Sequence, residues 1–270
     1  MNQRHKYDYH VNLSDDNFAG TKVIKMIGKD KKVLEIGAGP GAITQHISDI
    51  PGCHVSAVEL DPSALPLLEP FCENVFQRNL NEADWHEGVG IEGGYDVIVA
   101  ADVLEHLLDP WQTLSSLKSL LAPDGHIIVS LPHAGHLGVI AAMLNDDFRY
   151  HDWGLLDRTH IRFFCMKNVI DLFQEAGLTI VNTDHVIHSP KDMELAEYWN
   201  ILPSQTKKCL SESKNGHIYQ FVIKASIANS DDRLNINKQT THNPTSNNFS
   251  FVTLCSRIVR RFRGVFRSIF

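Results

Sequence analysis

The 270-residue chain carries 25 Lys and Arg against 32 Asp and Glu, with 43% apolar and 21% charged residues, a composition that excludes collagen-like and wholly disordered chains. Its length is ample to bury a core without disulfide or metal staples. The net charge of −7 excludes a general attraction for nucleic acid, but it is unevenly spread: residues 251–270 hold five arginines and no acid, leaving about −12 on the other 250 residues.

Residues 1–30 read as an N-terminal cap segment, whose first ten residues are polar and lack the apolar stretch of a secretory signal. The longest mostly apolar run, Leu137 to Leu144, is far short of a bilayer-spanning helix. Five scattered cysteines (Cys53, Cys72, Cys165, Cys209, Cys255) with no C-x-x-C pair argue against a disulfide framework or a zinc ribbon. They suit a reducing cytoplasm, and no metal site is expected. From 31 to 226, strand-like runs alternate with segments of helical period, which predicts an α/β domain built on a seven-stranded, doubly wound and mainly parallel sheet. The strands fall at Val33–Ile36, Val55–Glu59, Val75–Gln77, Tyr95–Ala100, Ile127–Leu131, Leu178–Val186 and Ile218–Ala225. A helix capped by Asp109, with Pro110 in its first turn, presents Trp111, Leu114, Leu117 and Leu121 on one face and stops at Pro123-Asp124-Gly125. Another spans about Lys167 to Ala176, with Gly177 as its left-handed cap. Residues 132–165, rich in His, Asp and aromatic side chains, are too long for an ordinary connection and form an insertion after the fifth strand. Residues 227–250 are Ser-, Asn-, Asp- and Thr-rich and read as a flexible linker.

The strongest local signal is Val33-Leu34-Glu35-Ile36-Gly37-Ala38-Gly39-Pro40-Gly41-Ala42, a buried strand entering a glycine-rich turn. Such a turn lets a ligand approach the backbone closely, but by itself it fits a dinucleotide, S-adenosylmethionine or tight packing alone. The Glu35 carboxylate would repel a pyrophosphate and attract the ammonium and sulfonium of S-adenosylmethionine. Pro40 removes one amide that a phosphate cradle needs. Glu59 ends the second strand, where a carboxylate can accept from the hydroxyls of an adenosine ribose; nicotinamide enzymes use the same geometry.

With the segment Asp102-Val103-Leu104-Glu105-His106-Leu107-Leu108-Asp109-Pro110 and the run Leu121-Ala122-Pro123-Asp124-Gly125-His126, the chain resembles a class I S-adenosylmethionine-dependent methyltransferase over residues 31–225. The resemblance implies that Gly37, Gly39 and Gly41 pass under the cofactor with Glu35 near its amino group. Glu59 takes the ribose hydroxyls and Leu60 packs on the adenine. Asn79, followed by Leu80, stands where the family usually has an aspartate accepting from the adenine amino group; an amide oxygen accepts there without charge assistance. Asp102, Val103 and His106 line the side that bears the methyl group.

Transfer of a methyl from a sulfonium needs alignment above all, and a base only where the acceptor is a hydroxyl. His106 and His133, both after carboxyl ends of central strands, are the candidate bases. Within the insertion, the run Thr159-His160-Ile161-Arg162-Phe163-Phe164 resembles a branch of these enzymes associated with bacterial cell-surface glycans. There His136, Tyr150, Trp153, Asp157, Arg158 and His160 are candidates to face a sugar, as aromatic faces stack on sugar rings and polar groups fix their hydroxyls. The expected activity is O-methylation of a sugar, glycan or other hydroxyl-bearing intermediate. Alternatives are a quinone or aromatic acceptor, a non-catalytic cofactor-binding module, and a nicotinamide-dependent oxidoreductase.

At the C-terminal end Phe251, Leu254, Ile258, Phe262, Val265, Phe266 and Ile269 recur at helical spacing, with Arg257, Arg260, Arg261 and Arg267 away from that stripe. Residues 251–270 therefore read as a basic amphipathic helix suited to an anionic membrane face or a protein partner, on an otherwise cytoplasmic protein.

Overall fold

The apolar runs pair into a seven-stranded sheet in a computed structural model of the chain, which describes residues 10–228. The strands are β1 (Lys32–Ile36), β2 (His54–Glu59), β3 (Asn74–Gln77), β4 (Tyr95–Ala101), β5 (Leu121–Pro132), β6 (Leu178–Ile187) and β7 (Ile218–Ile227). Their order across the sheet is β3-β2-β1-β4-β5-β7-β6, with β1 to β5 parallel and β7 antiparallel to both neighbours. The order reverses between β1 and β4, so the crevice beyond their carboxyl ends is where such a sheet binds ligands. β1 and β4 are buried almost along their whole length, as strands covered by helices on both faces must be.

Helices α1 (Ala19–Ile27) and α2 (Thr44–Ser48) pack on one face through Val23, Ile27, Ile43 and Ile47. The short α3 (Leu65–Leu68) follows β2 and buries Leu68. On the other face lie α4 (Pro110–Leu117) and α6 (Met166–Glu175), which bury Leu114, Leu117, Val169, Leu172 and Phe173. Asp109 caps α4 by accepting from Gln112 N at 2.9 Å. That helix ends earlier than its apolar period suggests. Lys118–Leu120 tighten into a 3-10 turn, and Leu121 opens β5 by pairing with Tyr95, while Trp111 stays 37% exposed.

Two insertions meet beside the sheet. The first contributes α5 (Leu137–Leu144), and the second, between β6 and β7, contributes α7 (Ala196–Ile201) and α8 (Ser204–Leu210). Leu137, Ala141, Leu155, Leu156, Leu195 and Trp199 form a small core of their own. The sequence reading anticipates the first insertion only. The second carries few apolar residues, so its period is weak, but Leu195, Tyr198 and Trp199 complete the core of the first. Of the linker expected at 227–250, Ile227 is the last residue of β7; residues 229–250, the basic helix expected at 251–270 and residues 1–9 lie outside the described residues. Among the described residues no helix is long and apolar enough to cross a membrane.

Candidate active site

A cavity of about 750 Å³ opens at the carboxyl ends of β1, β2 and β4. It has two ends. One is lined by the glycine loop with Glu35, Glu59, Leu60 and Asp61; the other by His106, Leu107, Pro132, Trp153, Leu155 and Tyr219, with Asp102 and Val103 between. Six carboxyl groups line it (Glu35, Glu59, Asp61, Asp102, Glu105, Asp157), and no Lys or Arg is among the described residues that do.

The glycine loop is tied down by its own amides. Gly37 N and Ala38 N donate to Val58 O at 2.8 and 3.2 Å, Gly39 N donates to the Glu59 carboxylate at 2.7 Å, and Gly41 N donates to Ala38 O at 3.1 Å. Pro40 has no amide hydrogen, so this loop has spent the donors that a pyrophosphate would need. Gly37 has φ +64°, and a Cβ there would stand 2.7 Å from Val103 Cγ2. Only glycine fits where the β1 turn meets the β4 turn.

Glu59 also accepts from Leu60 N and Asp61 N, at 2.7 and 2.8 Å, which aims its carboxylate into the loop. Glu35 is buried and accepts from Thr44 Oγ1 at 2.6 Å. Burial raises its pKa to about 7; the Thr44 hydrogen bond opposes this shift and the Glu59 charge adds to it. An adjoining depression holds Leu60 and Asn79. There Asn79 Oδ1 accepts from Asn81 N at 3.1 Å, an Asx turn that occupies one lone pair of the oxygen expected to meet adenine. Leu80 does not line either space; it packs, half-buried, against the main core.

At the other end, Asp102 sits at the end of β4 with φ +54°, a conformation that an aspartate adopts only where its surroundings hold it. Ser130 Oγ and Gln220 Nε2 donate to its Oδ1 at 2.8 and 2.9 Å, while burial raises its pKa against those bonds. His106 lies on a 3-10 turn, Leu104–His106, with Nδ1 3.1 Å from Thr159 O. A carbonyl can only accept, so Nδ1 carries the proton and Nε2 is the basic nitrogen of the neutral ring. The His160 ring stands edge-on to it at 4.8 Å.

The histidines expected after β5 are not part of the cavity. His133 is buried, donates from Nδ1 to Ile218 O at 2.9 Å and packs on Phe221; burial lowers its pKa. His136 is the N-cap of α5. Its Nδ1 accepts from Gly138 N, its Nε2 donates to His188 O, and burial lowers its pKa to about 4. His136 has both ring nitrogens bonded into the fold and His133 its Nδ1, and burial disfavours the charged form of each. Of the other candidates, Trp153, Asp157 and His160 line the cavity, whereas Tyr150 packs against Phe148 and Arg158 pairs with Asp152 on the surface. Asp157 Oδ1 holds the Thr159 amide and hydroxyl at 2.8 and 2.7 Å, closing the turn that presents His160.

Glu105, Tyr219 and Gln220 are among the lining residues that the sequence reading does not single out. Glu105 was readable in the motif beside His106, but its burial was not. Tyr219 and Gln220 belong to β7, where nothing marks them as different from other strand residues. Tyr219 reaches Glu194 Oε1 and Oε2 at 3.0 and 3.1 Å, and Glu194 also accepts from Leu155 N at 2.7 Å. Glu194 thus joins both insertions to the sheet, and burial beside it raises the Tyr219 pKa.

A family model described as "Methyltransferase domain" matches residues 13–183. The chain belongs to this methyltransferase family. The ubiquinone biosynthesis O-methyltransferase of Shewanella pealeana is 24% identical over 165 residues, 59% of this chain and 68% of the relative. That of Aromatoleum aromaticum is 26% identical over 157 residues, 55% of this chain and 64% of the relative. The match therefore spans about two thirds of these relatives' length. The fold is similar to that of a Burkholderia thailandensis 1,6-didemethyltoxoflavin N1-methyltransferase with bound S-adenosylhomocysteine (TM-score 0.51, 18% identity, 81% of this chain and 82% of that one). It is equally similar to that of the [4+2]-cyclase SpnF (TM-score 0.53, 12% identity, 82% and 88%), so the fold alone does not fix a reaction.

The methyltransferase uses S-adenosylmethionine, and the residues present fit it. The carboxylate-lined cavity suits a cation, and the loop amides are engaged within the protein and unavailable to phosphate. These features remove the nicotinamide alternative, and membership of the methyltransferase family answers the non-catalytic one.

Proposed function

We propose that the methyltransferase O-methylates a hydroxyl on a small aromatic molecule of the phenol, catechol or quinol class. The observation that carries this reading is the His106 imidazole, its tautomer fixed by Thr159 O, in the same cavity as the glycine loop. When bound, S-adenosylmethionine supplies a methyl on a sulfonium. Glu35 and Glu59 hold the cationic and ribose portions, and Val103 against Gly37 limits where the donor can lie. His106 Nε2 would take the acceptor hydroxyl's proton as that oxygen is methylated.

The acceptor end is walled by Leu107, Pro132, Trp153, Leu155 and Tyr219, which suits a planar ring better than a polyhydroxylated sugar. The ubiquinone-related names of the sequence relatives support the same class. The sugar reading loses Tyr150 and Arg158 from its binding set, and Asp157 Oδ1 is engaged by Thr159. The test is transfer of labelled methyl to a panel of catechols and simple phenols and, separately, to sugars and sugar nucleotides. Aromatic acceptors should be labelled; labelling of the sugars alone would overturn the proposal.

Residues 31–226 form the catalytic domain in this reading, and residues 227–250 tether residues 251–270 to it. The arginine-bearing apolar stripe of the last segment is suited to an anionic membrane face, where a lipid-soluble acceptor would be met. Sedimentation with anionic vesicles should be lost on deleting residues 251–270, and equal pelleting without them would count against the tether.

A further inference from the structure

Glu105 is the acid that the reaction above leaves unused. It is 0% exposed, and neither carboxyl oxygen has a hydrogen-bond partner among the described residues. Burial, then the charges of Asp102 and Asp157, raise its pKa well above the carboxylate range. A buried carboxyl in that condition is a burden on the fold, and an apolar side chain of similar size would fill the space more comfortably.

The backbone does not need that carboxyl. Ile161 N and Arg162 N both donate to Glu105 O, at 2.9 and 3.0 Å, and His106 Nδ1 donates to Thr159 O. The insertion is already pinned to the β4 turn by main-chain bonds. What the side chain does have is His160 Nε2 at 4.0 Å from its Oε1, in a ring that is 9% exposed. His160 Nδ1 lies 3.3 Å from Leu155 O and so bears that ring's proton when neutral, which turns the basic Nε2 toward Glu105. The same ring is edge-on to His106.

We propose that Glu105 and His160 are positioning residues that share one proton behind His106, holding its ring plane and setting its basicity. Whether the proton sits on the carboxyl or on Nε2, the pair has no net charge. His106 is thereby spared a neighbouring cation and stays neutral, ready to accept from the acceptor hydroxyl. Among the described residues, the other acids whose charges act on Glu105 are Asp102 on the β4 turn and Asp157 on the insertion. The proposal rests on His106 being the base, and its test is chosen to separate the two.

The experiment is an imidazole nitrogen NMR titration from pH 5 to 9 of wild type, Glu105→Gln and Glu105→Asp, with and without S-adenosylhomocysteine, paired with the pH profile of kcat/KM for a labelled aromatic acceptor. In the wild type His160 should titrate together with a carboxyl. In Glu105→Gln that coupling disappears, the acid limb of kcat/KM moves by about half a pH unit or more, and Glu105→Asp restores part of both. Affinity for S-adenosylhomocysteine stays within about threefold in both variants, which reports an intact fold. The same His160 titration in wild type and Glu105→Gln would overturn the proposal even if no acceptor were in hand. Because Glu105, His106 and His160 have donor atoms within 4.8 Å of one another, the wild type is also titrated with zinc and magnesium chloride. Stoichiometric binding that removes the His160 titration would overturn proton sharing in favour of a cation site. An unchanged rate in His106→Ala would instead fail the base assignment and leave the Glu105–His160 coupling to stand or fall on the titration.

Discussion

At the cofactor end of the cavity, Glu35, Gly37, Gly39 and Glu59 come from two adjacent parallel strands and the turn between β1 and α2, and their hydrogen bonds stay within these strands, the turns that follow them and α2. At the acceptor end, His106, Trp153, His160, Tyr219 and Gln220 come from the β4 turn, an insertion and an antiparallel strand. The first end is a local device that any sequence with the right turn can rebuild. The second is an assembly, held by Glu194 at one side and by the backbone of Glu105 at the other. Damage to the first should abolish cofactor binding, whereas damage to the second should spare it.

The largest expected effect is at Gly37. With φ +64° and Val103 already against it, Gly37→Val should lower affinity for S-adenosylhomocysteine by about 100-fold or more, measured by calorimetry. Comparable loss from a Trp153→Ala change would erase the distinction between the two ends.

Glu35→Gln should weaken the same affinity by roughly tenfold, since it removes a buried carboxylate facing a cationic ligand. The sign of its pH dependence is also fixed. The folded pKa of about 7 lies above the ordinary carboxyl value of 4.5, so the ligand-free fold binds an extra proton between them and loses stability as pH rises from 4.5 through 7. A cationic ligand favours the carboxylate. Binding should therefore tighten from pH 6 to 8 with proton release, and Glu35→Gln should flatten that slope; a flat wild-type profile would contradict the assignment.

A third expected effect is on stability and leaves methyl transfer untouched. His136 has its pKa lowered from 6.5 to about 4, so the fold excludes a proton that the unfolded chain binds. Stability is lost as pH falls from 6.5 toward 4, by about 3 kcal/mol at the acid end as an order of magnitude. His136→Asn supplies an amide oxygen in place of Nδ1 as the α5 cap acceptor and should reduce that acid loss in urea unfolding at pH 4.5 and 7.5, without changing methyl transfer at pH 7.5.

This contrast also explains what could be read in advance. Strand positions and the glycine loop were legible because β-branched runs and a contiguous turn carry their own signals, and Glu35 and Glu59 bracket that turn in sequence. The histidines were not. His106, His133 and His136 all follow strand ends, and only tertiary contacts decide that two of them are bonded into the fold while one faces the cavity. The second insertion was hidden because its apolar residues are sparse and serve the core of the first. Tyr219 and Gln220 were hidden because their role comes from β7 lying beside β5, a pairing that no local pattern announces.

The central claim, that one cavity joins a cofactor cradle to a base at the end of β4, is tested most directly in His106→Ala, with both S-adenosylhomocysteine affinity and kcat/KM for an aromatic acceptor measured on one preparation. The expected result is a fall of about 100-fold or more in kcat/KM with affinity changed less than about threefold. Equal transfer by wild type and variant would contradict it, as would loss of both quantities together.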